Sequence, residues 1–247
     1  MAGYESFGQF YDILQKDVPY KAMAETIHSF IQKYSSEKEV VVDLACGTGN
    51  LSCELLKLGY DVIGVDLSEE MLNLADSEEK NPGGKITYLC QNMTELDLWG
   101  QTDVMVCALD SLNHLSDFSE LSQVFDRAEE FIYKGGLFIF DVNTLYKHKK
   151  ILADNAFVYD YENLYCVWQN QLNEDNSVDI FLDFFKKTEK ETYKRFHEEF
   201  SEILFETKQL ENLIKQKNFE IVGIYDGYSE NPLNEKSQRA LYVCRKL

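Results

Sequence analysis

Basic residues are scarce in this sequence: 24 Lys plus Arg stand against 43 Asp plus Glu, a formal net charge of -19 over 247 residues. So acidic a chain repels phosphate backbones instead of releasing their counterions, which argues against nucleic acid as a partner. The only compact basic run, Lys147, His148, Lys149 and Lys150, reads as a solvated loop. The six cysteines, Cys46, Cys53, Cys90, Cys107, Cys166 and Cys244, include no C-x-x-C pair, so neither a metal site nor a disulfide framework is expected. No window approaches the roughly 20 apolar residues of a membrane span. The opening stretch, MAGYESFGQFYDILQKDVPYK, has neither a basic n-region nor an apolar h-region. A cytoplasmic protein without a membrane partner is therefore expected. Internal repeats and low-complexity tracts are also missing. Hydrophobic residues at 45% and charged residues at 27% are an ordinary globular balance, and the length suits one α/β domain with an insertion.

What is present alternates. After an aromatic helical opening (residues 4–16, then 20–34), the apolar run of VVVDLACGTGN reads as a strand covered on both faces, and Leu51, Leu55 and Leu58 mark a helix stopped by Gly59. YDVIGVDL is a second strand, with Ser68 as N-cap of the helix that follows; KITYLC and DVMVCAL are the third and fourth. Helical spacing between Asp117 and Ile132 leads through Gly135-Gly136 into LFIFDV, the fifth. This order predicts a doubly wound, Rossmann-like sheet. After Asn143 the pattern changes: FVYDYENLYCVWQNQL, SVDIFLDFFKK and ETYKRFHEEF read as adjacent antiparallel strands, with Phe181, Phe184 and Phe185 in their core. One helix and two strands, FEIVGIYD and RALYVCRKL, close the chain. The expected divisions are a helical lid over 1–36, a Rossmann-like domain over 37–143 and 206–247, and an inserted antiparallel sheet over 144–205.

The turn Cys46-Gly47-Thr48-Gly49 removes side chains where a backbone can approach a ligand closely, and Asp66 ends the second strand where a carboxylate can accept both hydroxyls of a ribose. A dinucleotide fingerprint would put a third small residue at position 52, which is Ser52. A nicotinamide-dependent oxidoreductase shares the sheet, the turn and Asp66, and stays open on these residues alone.

The blocks VVDLACGTGN and VIGVDLSEEML resemble the first and second motifs of the class I S-adenosylmethionine-dependent methyltransferases. QNMTELDL resembles their adenine-contacting segment, DVMVCALDSLNHL their fourth-strand motif, and LIKQKNFEIVGIYD with the last strand their reversed C-terminal hairpin, so seven strands are implied. The resemblance implies that Asp43, Ala45, Gly47 and Gly49 shape the methionine side of the cofactor pocket and that Asp66 holds the ribose. Leu67 and Met71 would flank adenine, Asn92 and Met93 would read its edge, and Leu109 would end the strand facing the transferred methyl. FYDIL resembles the Tyr-Asp segment of small-molecule members, making Tyr11 a lid residue. The implied reaction is in-line methyl transfer to a small-molecule acceptor; a module that binds the cofactor without turnover is the other alternative. Asp110 and His114 are the first choices for a general base, though both can equally serve a loop that caps the next helix. His197 reads as a sheet-surface histidine, and His28 and His148 have no evident partners.

Overall fold

The computed structural model describes residues 8–35, 39–77, 79–189 and 192–247. Tyr4 and Phe7 of the expected aromatic opening lie outside these. The chain begins with α1 (Gly8–Leu14) and α2 (Tyr20–Tyr34), then runs β1 (Val40–Leu44), α3 (Asn50–Lys57), β2 (Asp61–Asp66), α4 (Glu69–Ala75), β3 (Thr87–Cys90) and β4 (Thr102–Cys107). It continues through α5 (Phe118–Phe131) and β5 (Ile132–Asn143), then β6 (Ala156–Tyr161), β7 (Leu164–Leu172), β8 (Val178–Lys187) and β9 (Tyr193–Glu202). α6 (Thr207–Gln216), β10 (Phe219–Asp226) and β11 (Arg239–Lys246) complete it.

Seven strands form one sheet in the order β10-β11-β5-β4-β1-β2-β3. β1 to β5 are parallel, while β11 runs antiparallel between β5 and β10. Strand alternation assigns the residues of β5 to two faces. Phe138 and Phe140 meet Phe125 of α5 and Leu210 and Ile214 of α6; Leu137 and Ile139 meet the layer of Ile27, Ile31 and Leu55 from α2 and α3. Covering both faces is what permits continuous apolar runs such as Val104–Cys107. The N-cap read from sequence holds, with Ser68 accepting from the Met71 amide at 3.3 Å; α5 is capped by Asp117, which accepts from the Ser119 and Glu120 amides at 2.7 and 2.9 Å.

β6-β7-β8-β9 form a separate antiparallel sheet, four strands where the sequence suggested three. The first aromatic run is a hairpin, pairing Tyr161 with Leu164 across Glu162-Asn163, a two-residue turn without the Asn-Gly or Gly cue that marks such turns. The three phenylalanines also divide: Phe184 is buried against the sheet's core, whereas Phe181 and Phe185, odd-numbered, face the other way and are half-buried. β5 starts earlier than expected and carries Gly135-Gly136 inside it, with a register shift against β4; a Cβ on Gly136 would stand 2.5 Å from the Asp103 carbonyl oxygen. The basic run is solvated only in part: Lys149 and Lys150 are exposed, but Lys147 and His148 are not. It opens a π-helical turn, Lys147–Leu152, in which His148 is fully buried and Nδ1 lies 2.7 Å from the Asn176 carbonyl. His28 likewise has a partner, the Tyr60 hydroxyl at 2.7 Å, and His197 sits beside Asp183 at 2.9 Å on the outer sheet surface.

Candidate active site

The carboxyl end of β1 breaks into a loop in which Ala45, Gly47 and Gly49 all have positive φ (55°, 55° and 76°). The Gly47 amide donates to Asp66 Oδ2 at 2.8 Å and the Ser68 amide to Oδ1 at 2.8 Å, so one carboxylate ties the ends of β1 and β2 together. Each oxygen keeps a second lone pair, as acceptance of two vicinal hydroxyls requires. Burial pushes the Asp66 carboxyl upward, and the amides of Ser68, Gly47 and Leu67 oppose it. Glycine at 49 is a packing requirement: a Cβ there would stand 2.4 Å from the Tyr88 hydroxyl. At 47 the nearest atom to such a Cβ is on the Tyr11 ring, 3.6 Å away, so the aromatic ring lies over the turn.

Asp43 is buried and accepts from Ser52 Oγ at 2.5 Å. The residue that departs from the dinucleotide fingerprint is thus the partner of the acid within β1. Burial pushes the Asp43 carboxyl up to about 7, with the Ser52 hydrogen bond pulling it down and the charge of Asp66 pushing it further up. Asp43, Ala45, Asn50 and Leu109 line a cleft with Tyr11 and Tyr20. Leu67, Asn92 and Met93 are not among the residues lining it: Leu67 is exposed, Asn92 caps the following turn through the Thr94 amide at 3.0 Å, and Met93 packs on the sheet's core. Met71 is buried in α4, beneath the surface rather than on it.

Asp12 lies in the Tyr-Asp segment FYDIL, but the sequence assigns it no role, because its partners are remote in the chain. Its Oδ1 accepts from Thr48 Oγ1 at 2.5 Å and Asn50 Nδ2 at 3.0 Å, and its Oδ2 pairs with Lys80 Nζ at 2.7 Å. Burial alone would raise the Asp12 carboxyl; hydrogen bonds from Lys80 and Thr48 outweigh it and hold the group below its ordinary value. Two residues earlier, Phe10 stacks on Phe184 with centroids 4.8 Å apart and meets Phe196 edge-on at 5.1 Å. α1 therefore bridges the glycine turn and the inserted sheet.

Beyond β4 stands an ionic cluster. Asp110 Oδ2 accepts from Lys147 Nζ at 2.9 Å and Asn143 Nδ2 at 2.8 Å, and Oδ1 from Arg239 Nη2 at 3.0 Å. Burial opposes its charge, yet Arg239 and Lys147 hold the carboxyl well below the usual range. So partnered, Asp110 is a poor proton acceptor. His114 is solvent-exposed and packs beside Phe200, centroids 5.0 Å apart. Desolvation lowers its imidazole pKa, partly countered by Asp110, which favours the neutral ring. Glu202 of β9 takes the other amide hydrogen of Asn143 at 2.7 Å, and burial, then the charge of Asp110, push it up to about 7. Asn113 pairs with Ile203 in both directions, its carbonyl accepting at 2.8 Å and its Nδ2 donating at 2.7 Å, which fastens the end of β9 to the segment after β4. The described residues contain no cluster of three or more metal-ligating side chains.

Residues 41–136 match the methyltransferase domain family. A protein of Geobacillus sp. (strain WCH70) named "Putative methyltransferase" is 32% identical over 245 residues, covering 98% of this chain and 99% of its own. The crystal structure of an S-adenosylmethionine-dependent methyltransferase from Clostridium acetobutylicum ATCC 824 superposes with a TM-score of 0.88 at 32% identity, covering 98% of both chains. The sugar N-methyltransferase KedS8 from Streptoalloteichus sp ATCC 53650, at 19% identity and a TM-score of 0.81, covers all of this chain and 94% of its own, and shares the fold. The glycine turn open beneath Tyr11 and the spare lone pairs of Asp66 fit the same cofactor. Motifs, topology and relatives agree: the chain belongs to the class I S-adenosylmethionine-dependent methyltransferases, with S-adenosylmethionine as its cofactor.

Proposed function

We propose that this enzyme methylates a small-molecule acceptor by in-line displacement, in a site between the carboxyl ends of the parallel strands and the inserted sheet. The carrying observation is the fastening of β9 beside β4 through Asn113 and Ile203, together with the bridging of the glycine turn and the sheet by α1. A site walled on these sides takes a metabolite more readily than a duplex, and the charge of -19 acts in the same direction. The structural neighbour KedS8, a sugar N-methyltransferase, supports the reading by fold alone.

In this reading Asp66 holds the ribose hydroxyls, Leu67, Asn92 and Met93 contact adenine with Met71 supporting them from below, and Asp43, Ala45, Gly47, Gly49 and Leu109 shape the methionine side. Tyr11 covers the turn and, with the rest of α1 and α2, excludes water. When bound, the cofactor supplies a methyl group on a positively charged sulfur. The protein's task is then alignment, since an electrophile of that kind needs little covalent help. His114 accepts the acceptor's proton where one must leave; Asp110 stays charged and orients Lys147 and Arg239. The inserted sheet, 144–205, covers the acceptor.

The test divides a cell extract by size and follows S-adenosylhomocysteine. The low-molecular-weight fraction should stimulate its formation; stimulation only by the macromolecular fraction would overturn the proposal, and none by either would favour a binding module.

A further inference from the structure

We infer that Asp141 is a positioning residue for this site: its buried carboxylate clamps two consecutive amides and sets the backbone that lines the cofactor cleft. Leu109 and Asp110 have φ values of 57° and 54°, a left-handed conformation that residues with side chains adopt sparingly and that tends to mark functional sites. Asp141, fully buried near the end of β5, accepts from the Leu109 amide at 2.7 Å through Oδ1 and from the Asp110 amide at 2.8 Å through Oδ2. Two adjacent N–H groups converging on one anion are a nest, closed here by the protein's own carboxylate.

The clamp is held from behind. The Tyr228 hydroxyl donates to Asp141 Oδ1 and also lies 3.2 Å from the Leu109 amide, which therefore has two acceptors. Arg239 on β11 pairs through Nη1 with Asp141 and through Nη2 with Asp110, so one guanidinium bridges the carboxylate under the loop and the one upon it, and Lys147 supplies the second positive charge at Asp110. Nothing in this set belongs to the glycine turn or to the Asp66 end of the site. Its product is the course of Ala108, Leu109 and Ser111, all of which line the cleft. Released from Asp141, the two residues relax toward negative φ, and Leu109 moves with them.

This role rests on the cleft being the cofactor site but not on the identity of the acceptor. Asp141→Asn removes one of the two acceptors and turns an amide NH2 toward a backbone N–H, so the clamp cannot close on both amides. Amide exchange, S-adenosylmethionine affinity and S-adenosylhomocysteine release in the low-molecular-weight extract fraction are measured on wild type and variant. The expected result is exchange at Leu109 and Asp110 at least about tenfold faster with β1 and β4 still protected, and transfer slowed about 100-fold at saturating cofactor, the scale of an ångström of misplacement. Unchanged exchange at both amides would overturn the inference. So would faster exchange with affinity and release both within twofold of wild type. If the wild type releases no product, the acceptor reading fails, and affinity with exchange still decides the clamp, which requires weaker binding in the variant. Should Asp141→Asn fail to fold, Asp141→Glu, which keeps the charge but not the reach at which its two oxygens meet the two amides, takes its place with the same readouts and the same overturning results.

Discussion

At the scale of single residues, two aspartates on neighbouring strands do opposite things. Asp66 has both oxygens on backbone amides and lies at a strand end, where it can accept from ribose; Asp66→Ala should remove charge-assisted bonds worth about 1.5–3 kcal/mol, roughly tenfold to over a hundredfold in affinity for S-adenosylmethionine. Calorimetry giving the variant wild-type affinity would contradict that assignment. Asp43 is buried on Ser52, with its carboxyl pushed up to about 7 from an unfolded value near about 4. Between these values the folded state binds more protons than the unfolded one, so this group's contribution to stability is present below the unfolded pKa and falls as pH rises through the folded pKa. Compared with Asp43→Asn, the wild type should lose stability progressively from about pH 4 to about pH 7 and no further above it, read from urea midpoints. A gap between the two proteins that is constant across that range would refute the raised pKa. Gly47, Gly49 and Asp66 were legible in the sequence because each is demanded by local backbone geometry. Asp12, Glu202 and Arg239 were not, because their partners are brought near only by the completed fold.

At the scale of elements, α1 matters more than its seven residues suggest, since it places Phe10 in the inserted sheet and Asp12 on the glycine turn. Asp12→Ala should weaken cofactor binding by about threefold to tenfold, a modest effect because the Lys80 pair is partly exposed. Titration of S-adenosylmethionine showing no change would remove α1 from the cofactor's surroundings. The parallel core was readable strand by strand, because a strand buried on both faces writes a continuous apolar run. The hairpin of β6 and β7 was hidden by the same enrichment in aromatic and β-branched residues that revealed the sheet, which left Glu162-Asn163 as its only interruption. Lys147 misled in another way: a run of basic residues looks solvated until Asp110 and Asn143 are found beside it.

At the scale of the whole molecule, a seven-stranded sheet carries the glycine turn and Asp66, and a second, four-stranded sheet is fastened beside it through Asn113 and Ile203. Among the described residues no helix is long and apolar enough to cross a membrane. The acceptor is the claim on which everything beyond family membership depends. Its most direct measurement follows methyl-labelled S-adenosylmethionine in whole extract with the intact protein, then separates RNA, protein and small metabolites. The account predicts label in a discrete small metabolite, dependent on the enzyme and reduced in His114→Ala if the attacked atom bears a proton; label carried chiefly by RNA or protein would contradict it.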